Sequence, residues 1–231
     1  MLVVAAAFAG IALRGGSGPE ERPPSERPDL LLLTGLPIVF GETFSLDAVG
    51  SPTLAALQAR YRVVPISAAD RRSLDRRRLL LMAQPQAQPA EMLVELDEWV
   101  RSGGRILLVA DPVLEWPSAR PLGDVLRPPT AFADTGLLGH WGLRLDAPDS
   151  LGPATFAVDG RTVHASSPGS LEATGPGCTV KAGGLVAHCR VGLGQATVIA
   201  DADFLDLERQ SGRARSDNSA FLLAELERLE R

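Results

Sequence analysis

Cysteine and histidine are scarce in this chain, and the familiar catalytic signatures are missing. Its 231 residues include two cysteines and three histidines. Cys178 and Cys189 have only His188 close by, a poor set of ligands for zinc. There is no G-x-S-x-G elbow, no P-loop, no G-x-G-x-x-G after a strand and no H-E-x-x-H. Elbow-type hydrolases, P-loop nucleotidases, dinucleotide enzymes and zincin proteases therefore lack their parts. His140, His164 and His188 are scattered and read as surface or hairpin residues. Ser166 and Ser167 stand near His164, but sequence neighbours rarely adopt triad geometry.

Positive charge is not in excess either. With 23 basic against 28 acidic residues the formal net charge is -5, and the arginines are not interleaved with aromatics, which disfavours nucleic acid. Arg71, Arg72, Arg76, Arg77 and Arg78 do cluster, but Asp70 and Asp75 among them mark a solvated helix or loop. An apolar run of about 20 residues, the length that crosses a bilayer as a helix, is absent too. Leu2 to Leu13 is apolar but shorter, and it lacks the basic start of a signal peptide. Arg14, two glycines and the Pro/Glu/Arg-rich stretch Ser17 to Arg27 follow. Residues 1–27 thus read as a truncated membrane anchor or signal-like segment plus linker, and residues 28–231 as a single α/β domain.

What is present is a set of short, fully apolar runs. The clearest unit is PAEMLVELDEWVRSGGRILLVADP, residues 89–112. Pro89 suits a first helical turn, and Met92, Leu93, Leu96, Trp99 and Val100 recur at helical spacing. Gly103-Gly104 ends the helix, and Ile106 to Ala110 runs apolar without alternation, as a strand covered on both faces does. Asp29 to Thr34, Leu79 to Ala83 and Gln195 to Ala200 share that pattern. Arg62 to Ile66 does too, with Pro65 placing it at an edge. Helices are expected from Ser51-Pro52, for one or two turns between Arg71 and Arg78, over Asp134 to Trp141 with Asp134 as cap, and at the carboxyl end with Asp217 and Asn218 as caps. The order implies a mostly parallel sheet with helices on both faces. Residues 151–194 carry two hairpin signals, Thr155 to Ala165 around Asp159-Gly160 and Thr179 to Val191 around Gly183-Gly184. They read as an antiparallel β insertion. A disulfide between Cys178 and Cys189 fits the second hairpin, with two unpaired thiols as the alternative.

Such a sheet brings Thr34, Gln84, Asp111, Asp201 and Asp203 to the rim formed by the carboxyl ends of its strands. Glu42 lies on the long loop above, from Leu36 to Gly50. Clustered carboxylates bind Mg²⁺ or Ca²⁺ through oxygen, or do acid-base work when one has a raised pKa. Aspartates also end strands simply because they favour turns and caps. A small sugar or peptide recognised there by Glu42 and Trp116 is a third expectation.

The run LDEWVRSGGRILLVADP, the following WGLRLD, and the closing RVGLGQATVIADADFLD with DNSAFLLAEL resemble the auxiliary component of gliding-motility-type ABC transporters. They resemble more closely a related uncharacterised membrane-anchored bacterial family. The resemblance covers about residues 29–114 and 190–229. It implies a flavodoxin-like, class I glutamine amidotransferase-like domain. The nucleophilic cysteine of that class would fall on the turn Val109-Ala110-Asp111-Pro112, which has none, so glutaminase chemistry is not expected. The resemblance implies a non-catalytic binding or scaffolding domain, a pseudoenzyme without a cofactor. It would be tethered to the cytoplasmic membrane and face the periplasm or cell exterior. It would serve a transporter or membrane ATPase through a membrane-protein partner. The alternative is a metal-dependent hydrolase at the carboxylate rim.

Overall fold

The computed structural model describes residues 21–41 and 51–231. The anchor-like segment 2–13 and Glu42 fall outside the described residues.

Five parallel strands form the body of the sheet: β1 (Asp29–Thr34), β2 (Arg62–Pro65), β3 (Leu79–Ala83), β4 (Arg105–Val109) and, late in the chain, β11 (Gly194–Ile199). Two antiparallel strands, β9 (Cys178–Lys181) and β10 (Val186–Val191), extend it, giving seven strands in the order β2-β1-β3-β4-β11-β10-β9. The sheet is open, with β2 and β9 at its edges.

The apolar strand sequences follow from burial on both faces. Alternate residues of β1 enter opposite cores: Leu30 and Leu32 pack with Leu57, Phe221, Leu226 and Leu229, whereas Leu31 and Leu33 pack with Leu74, Leu96, Val100 and Leu138. The first core is covered by α1 (Pro52–Arg60) and α5 (Gly212–Glu230), the second by α2 (Arg71–Leu74), α3 (Ala90–Arg101) and α4 (Leu137–His140). Helices on both faces of a mostly parallel sheet are as the sequence implies. Ser51 caps α1 by accepting the Leu54 N-H, and Pro89 sits just ahead of α3, where a missing N-H costs nothing.

The second helix is one turn, Arg71 to Leu74, capped by Asp70, in keeping with the one or two turns expected between Arg71 and Arg78. Two other local expectations are corrected. The helix expected over 134–141 covers only Leu137–His140, and Asp134 accepts the Gly136 N-H from two residues ahead of the N-cap position, which Gly136 takes. The last helix begins at Gly212, so Asp217 and Asn218 lie inside it and do not cap it. Both are drawn away by tertiary partners: Asp217 meets His164, and Asn218 is buried against the same strand.

The insertion is more divided than its turn signals show. β6 (Pro153–Val158) and β7 (Arg161–Ser166) form their own two-stranded sheet, and β5 (Leu143–Asp146) pairs with β8 (Ser170–Ala173) in another. The β9–β10 hairpin instead joins the main sheet, and Cys178, directly opposite Cys189 in its register, is disulfide-bonded to it.

Candidate functional site

Ile199 of β11 pairs with Val109 of β4, so the residues two places further on, Asp201 and Asp111, leave adjacent strands side by side. The chain then turns through a short 3-10 helix, Asp203–Leu205, which brings Asp203 to the same point. One carboxylate oxygen from each of Asp111, Asp201 and Asp203 lies within 4.8 Å of the others. All three residues are buried.

Backbone donors fix the three groups. Asp111 accepts the N-H of Val113 (2.8 Å) and of Ala202 (2.7 Å). Asp201 accepts those of Ser166 and Phe204, both at 2.8 Å. Asp203 Oδ2 accepts the Glu115 N-H at 2.9 Å, whereas its buried Oδ1 has no hydrogen-bond partner among the described residues. Burial, which penalises the charged form, outweighs these bonds. It pushes Asp111 up to about 6 and Asp203 up to about 7, and raises Asp201 well above the usual carboxylate range, with the neighbouring Asp111 charge adding to it.

Asp203 links this trio to an open cleft of about 280 Å³ lined by Glu115, His164, Ala165, Ser166, Asp203, Asp206, Arg209 and Gln210. Across the cleft the hydroxyls of Ser166 and Ser167 donate to the Glu115 carboxylate at 2.6 and 2.7 Å. Those bonds hold Glu115 below the ordinary glutamate value. One carboxyl in the cleft is thus pushed up and another down, the separation that acid and base roles require.

Of the five expected rim residues that are described, three converge. Gln84 supports them from behind: its Nε2 donates to the carbonyls of Asp111 at 3.0 Å and Pro129 at 3.3 Å, and its Oε1 accepts the Asp111 N-H at 2.9 Å. Thr34 is not part of the group. It ends β1, which β3 separates from β4, and its hydroxyl accepts the Leu36 N-H of its own turn. Trp116 packs partly against the first core.

Glu115, Asp206 and Arg209 escaped sequence reasoning because nothing in their spacing announces a site. Ser166 and Ser167 were visible near His164, but their partner is Glu115. His164 instead faces Asp217 at 3.2 Å, and His188 faces Glu225 at 2.9 Å.

No protein-family model matches the chain, and none of the curated proteins matches it in sequence. Solved structures do match in fold. An exo-β-1,4-mannosidase from Opitutaceae bacterium strain TAV5 shares 14% identity at a TM-score of 0.52, over 86% of this chain and 36% of its own. The GH42 β-galactosidase Gan42B from G. stearothermophilus shares 16% at 0.54, over 90% of this chain and 30% of its own. A protein described as cytoplasmic, from Salmonella typhimurium LT2, shares 11% at 0.52, over 87% of this chain and 99% of its own. The chain thus spans about a third of the glycosidases it matches.

These neighbours correct the resemblance to the transporter-auxiliary family and its glutamine amidotransferase-like kin, since they are glycosidases and a cytoplasmic protein. The expectations of membrane placement, a transporter role and a pseudoenzyme fall with that resemblance. Among the described residues no helix is long and apolar enough to cross a membrane. At these identities the likeness is one of fold: a mixed α/β architecture with a mostly parallel central sheet.

Proposed function

We propose that the chain carries a metal-dependent hydrolase site, with Asp111, Asp201 and Asp203 holding a divalent cation at the base of the cleft. The observation that carries this reading is the convergence of three buried carboxyls within 4.8 Å, one with an unpartnered oxygen. Three desolvated carboxylates do not all stay ionised side by side, so the trio must take up protons or a cation. An all-oxygen donor set selects Mg²⁺, Ca²⁺ or Mn²⁺ over zinc. A cation bound there supplies Lewis acidity and lowers the pKa of a coordinated water. Glu115, kept ionised by two serine hydroxyls, is the group placed to take a proton from an attacking water.

The strand order supports the finer reading of the fold as flavodoxin-like. Counting the parallel strands alone gives 2-1-3-4-5, with β11 as the fifth, an arrangement whose ligands bind beyond the carboxyl ends of the strands. The matched glycosidases agree with the proposal in reaction class, although their activity belongs to chains about three times as long.

Calorimetric titration with Mg²⁺, Mn²⁺ and Ca²⁺ tests the reading. Binding of at least one, accompanied by proton release near neutral pH and abolished in Asp201→Asn, is expected. Silence for all three removes it.

A further inference from the structure

We infer that the cleft takes a neutral, polyhydroxylated ligand of monosaccharide size and turns away phosphorylated or carboxylated ones. This names the substrate class for the hydrolytic reading above, on which it rests.

Two buried carboxylate oxygens in the cleft accept no hydrogen bond among the described residues: Oδ2 of Asp206, which is 6% exposed, and Oδ1 of Asp203, which is 8% exposed and which a ligand hydroxyl would share with the cation proposed above. Asp206 Oδ2 is ion-paired with the exposed Arg209 guanidinium at 3.6 Å, which is beyond hydrogen-bond distance. A buried polar group left unpaired is rare in folded proteins and calls for a partner from outside.

Of the other side chains that line the cleft, Ser166 and Glu115 also present acceptors, whereas the N-H groups of Arg209 and the ring of His164 each face a carboxylate, Asp206 and Asp217. The Ser166 hydroxyl has spent its proton on Glu115, so it offers only lone pairs. The Glu115 carboxylate receives one hydroxyl on each oxygen and retains further lone pairs. Gln210 is held in place: its Nε2 donates to the carbonyls of Asp203 and Phe204 at 3.4 and 3.3 Å, and its Oε1 accepts from Asn218 at 2.9 Å. A wall of this kind matches a ligand that brings several hydroxyl donors, and a site built to bond hydroxyls rejects analogues lacking them.

Charge sets the other half of the specificity. Among the described residues Glu115, Asp203 and Asp206 share the cleft with one guanidinium, Arg209, already facing Asp206, and with His164, already facing Asp217. A phosphate or carboxylate would meet a net negative wall. An adjoining hollow of about 260 Å³ shares Asp206 and Arg209 and adds Trp116, Pro117, Leu205 and Leu207, an apolar surface for whatever the sugar is linked to.

The test is ligand-observed NMR at pH 7.5 with methyl glycosides of glucose, galactose and mannose, their 6-phosphates, the corresponding uronic acids and a simple alkylamine. It is run with and without saturating Ca²⁺. Binding of at least one neutral glycoside, with Glu115→Gln and Asp206→Asn each weakening it about tenfold at unchanged thermal midpoint, is expected. Glu115 is exposed, so its variant remains informative if Asp206→Asn does not fold. Equal or tighter binding of the phosphates or uronates, binding of the amine alone, or no binding of any neutral glycoside overturns the inference. Glycoside binding in a protein silent to all cations leaves the ligand class standing and removes hydrolysis. Cation binding without glycoside binding does the reverse.

Discussion

Asn218 holds both backbone groups of His164. Its Oδ1 accepts the His164 N-H at 2.8 Å and its Nδ2 donates to the His164 carbonyl at 2.8 Å, so a side chain on α5 completes the free edge of β7 as a neighbouring strand would. The same Nδ2 lies within reach of the Phe204 carbonyl and of Gln210. One buried amide therefore ties the hairpin, the turn that carries Asp203 and the wall of the cleft to the last helix.

Asn218→Asp is nearly isosteric but loses the donors. It leaves the His164 and Phe204 carbonyls facing a carboxylate, and is expected to lower stability by about 2–4 kcal/mol. Urea unfolding measures the change. A loss no greater than that of an exposed substitution on α5 would show that the amide does not organise the hairpin.

Asp203→Asn should do the opposite to stability while damaging function. The asparagine oxygen keeps the Glu115 N-H bond, and the amide removes a charge from beside Asp111 and Asp201. The variant is expected to gain about 1 kcal/mol at pH 8 and to lose cation affinity by tenfold or more. Thermal unfolding and calorimetry on the same sample read the two effects. A destabilised variant that still binds the cation contradicts the site.

The raised carboxyls predict how stability varies with pH in the presence of chelator. Asp111 and Asp203 titrate at about 6 and about 7 in the folded chain, against 3.8 ordinarily. Between those values the folded state holds more protons than the unfolded one. The contribution of these two groups to stability is therefore full below about pH 4, falls as pH rises toward about 7, and then levels off. The difference in thermal midpoint between the native chain and Asp203→Asn, followed from pH 5 to pH 8, isolates the effect. Saturating Ca²⁺ is expected to flatten it, and a native midpoint that climbs relative to the variant across this window is incompatible with the assignment.

Reducing the Cys178–Cys189 bond removes a cross-link between an edge strand and its neighbour. The short loop it closes gives a loss of about 2–3 kcal/mol. Because the hairpin lies beyond β11, away from β4, cation affinity should survive reduction. Unfolding and titration with and without reductant check both halves.

Gly194→Ala is expected to cost about 2–3 kcal/mol or more, since a Cβ there would land on the carbonyl oxygens of Val100 and Gly104. This close approach seats β11 beside the turn between α3 and β4, with the Gln195 N-H donating to the Gly104 carbonyl at 3.2 Å. A variant as stable as the native chain would mean that the backbones separate freely.

The sequence alone determined the parallel sheet. Asp29 to Thr34, Leu79 to Ala83 and Ile106 to Ala110 are apolar without alternation because both of their faces are covered, and such runs announce themselves without knowledge of their partners. The helical stripe ending at Gly103-Gly104, the hairpin turns and the aspartates closing β4 and β11 are equally local signals. Tertiary structure decided everything that depends on which ends become neighbours. β11, from the far end of the chain, lies beside β4, and that placement alone joins Asp111 to Asp201 and excludes Thr34. It also turned Asp217 and Asn218 from expected caps into tethers of β7, and drew Glu115 from an unpatterned loop onto two serines of the insertion. No periodicity encodes contacts between residues so distant in sequence, because they are set by strand order and not by the local preferences of the chain.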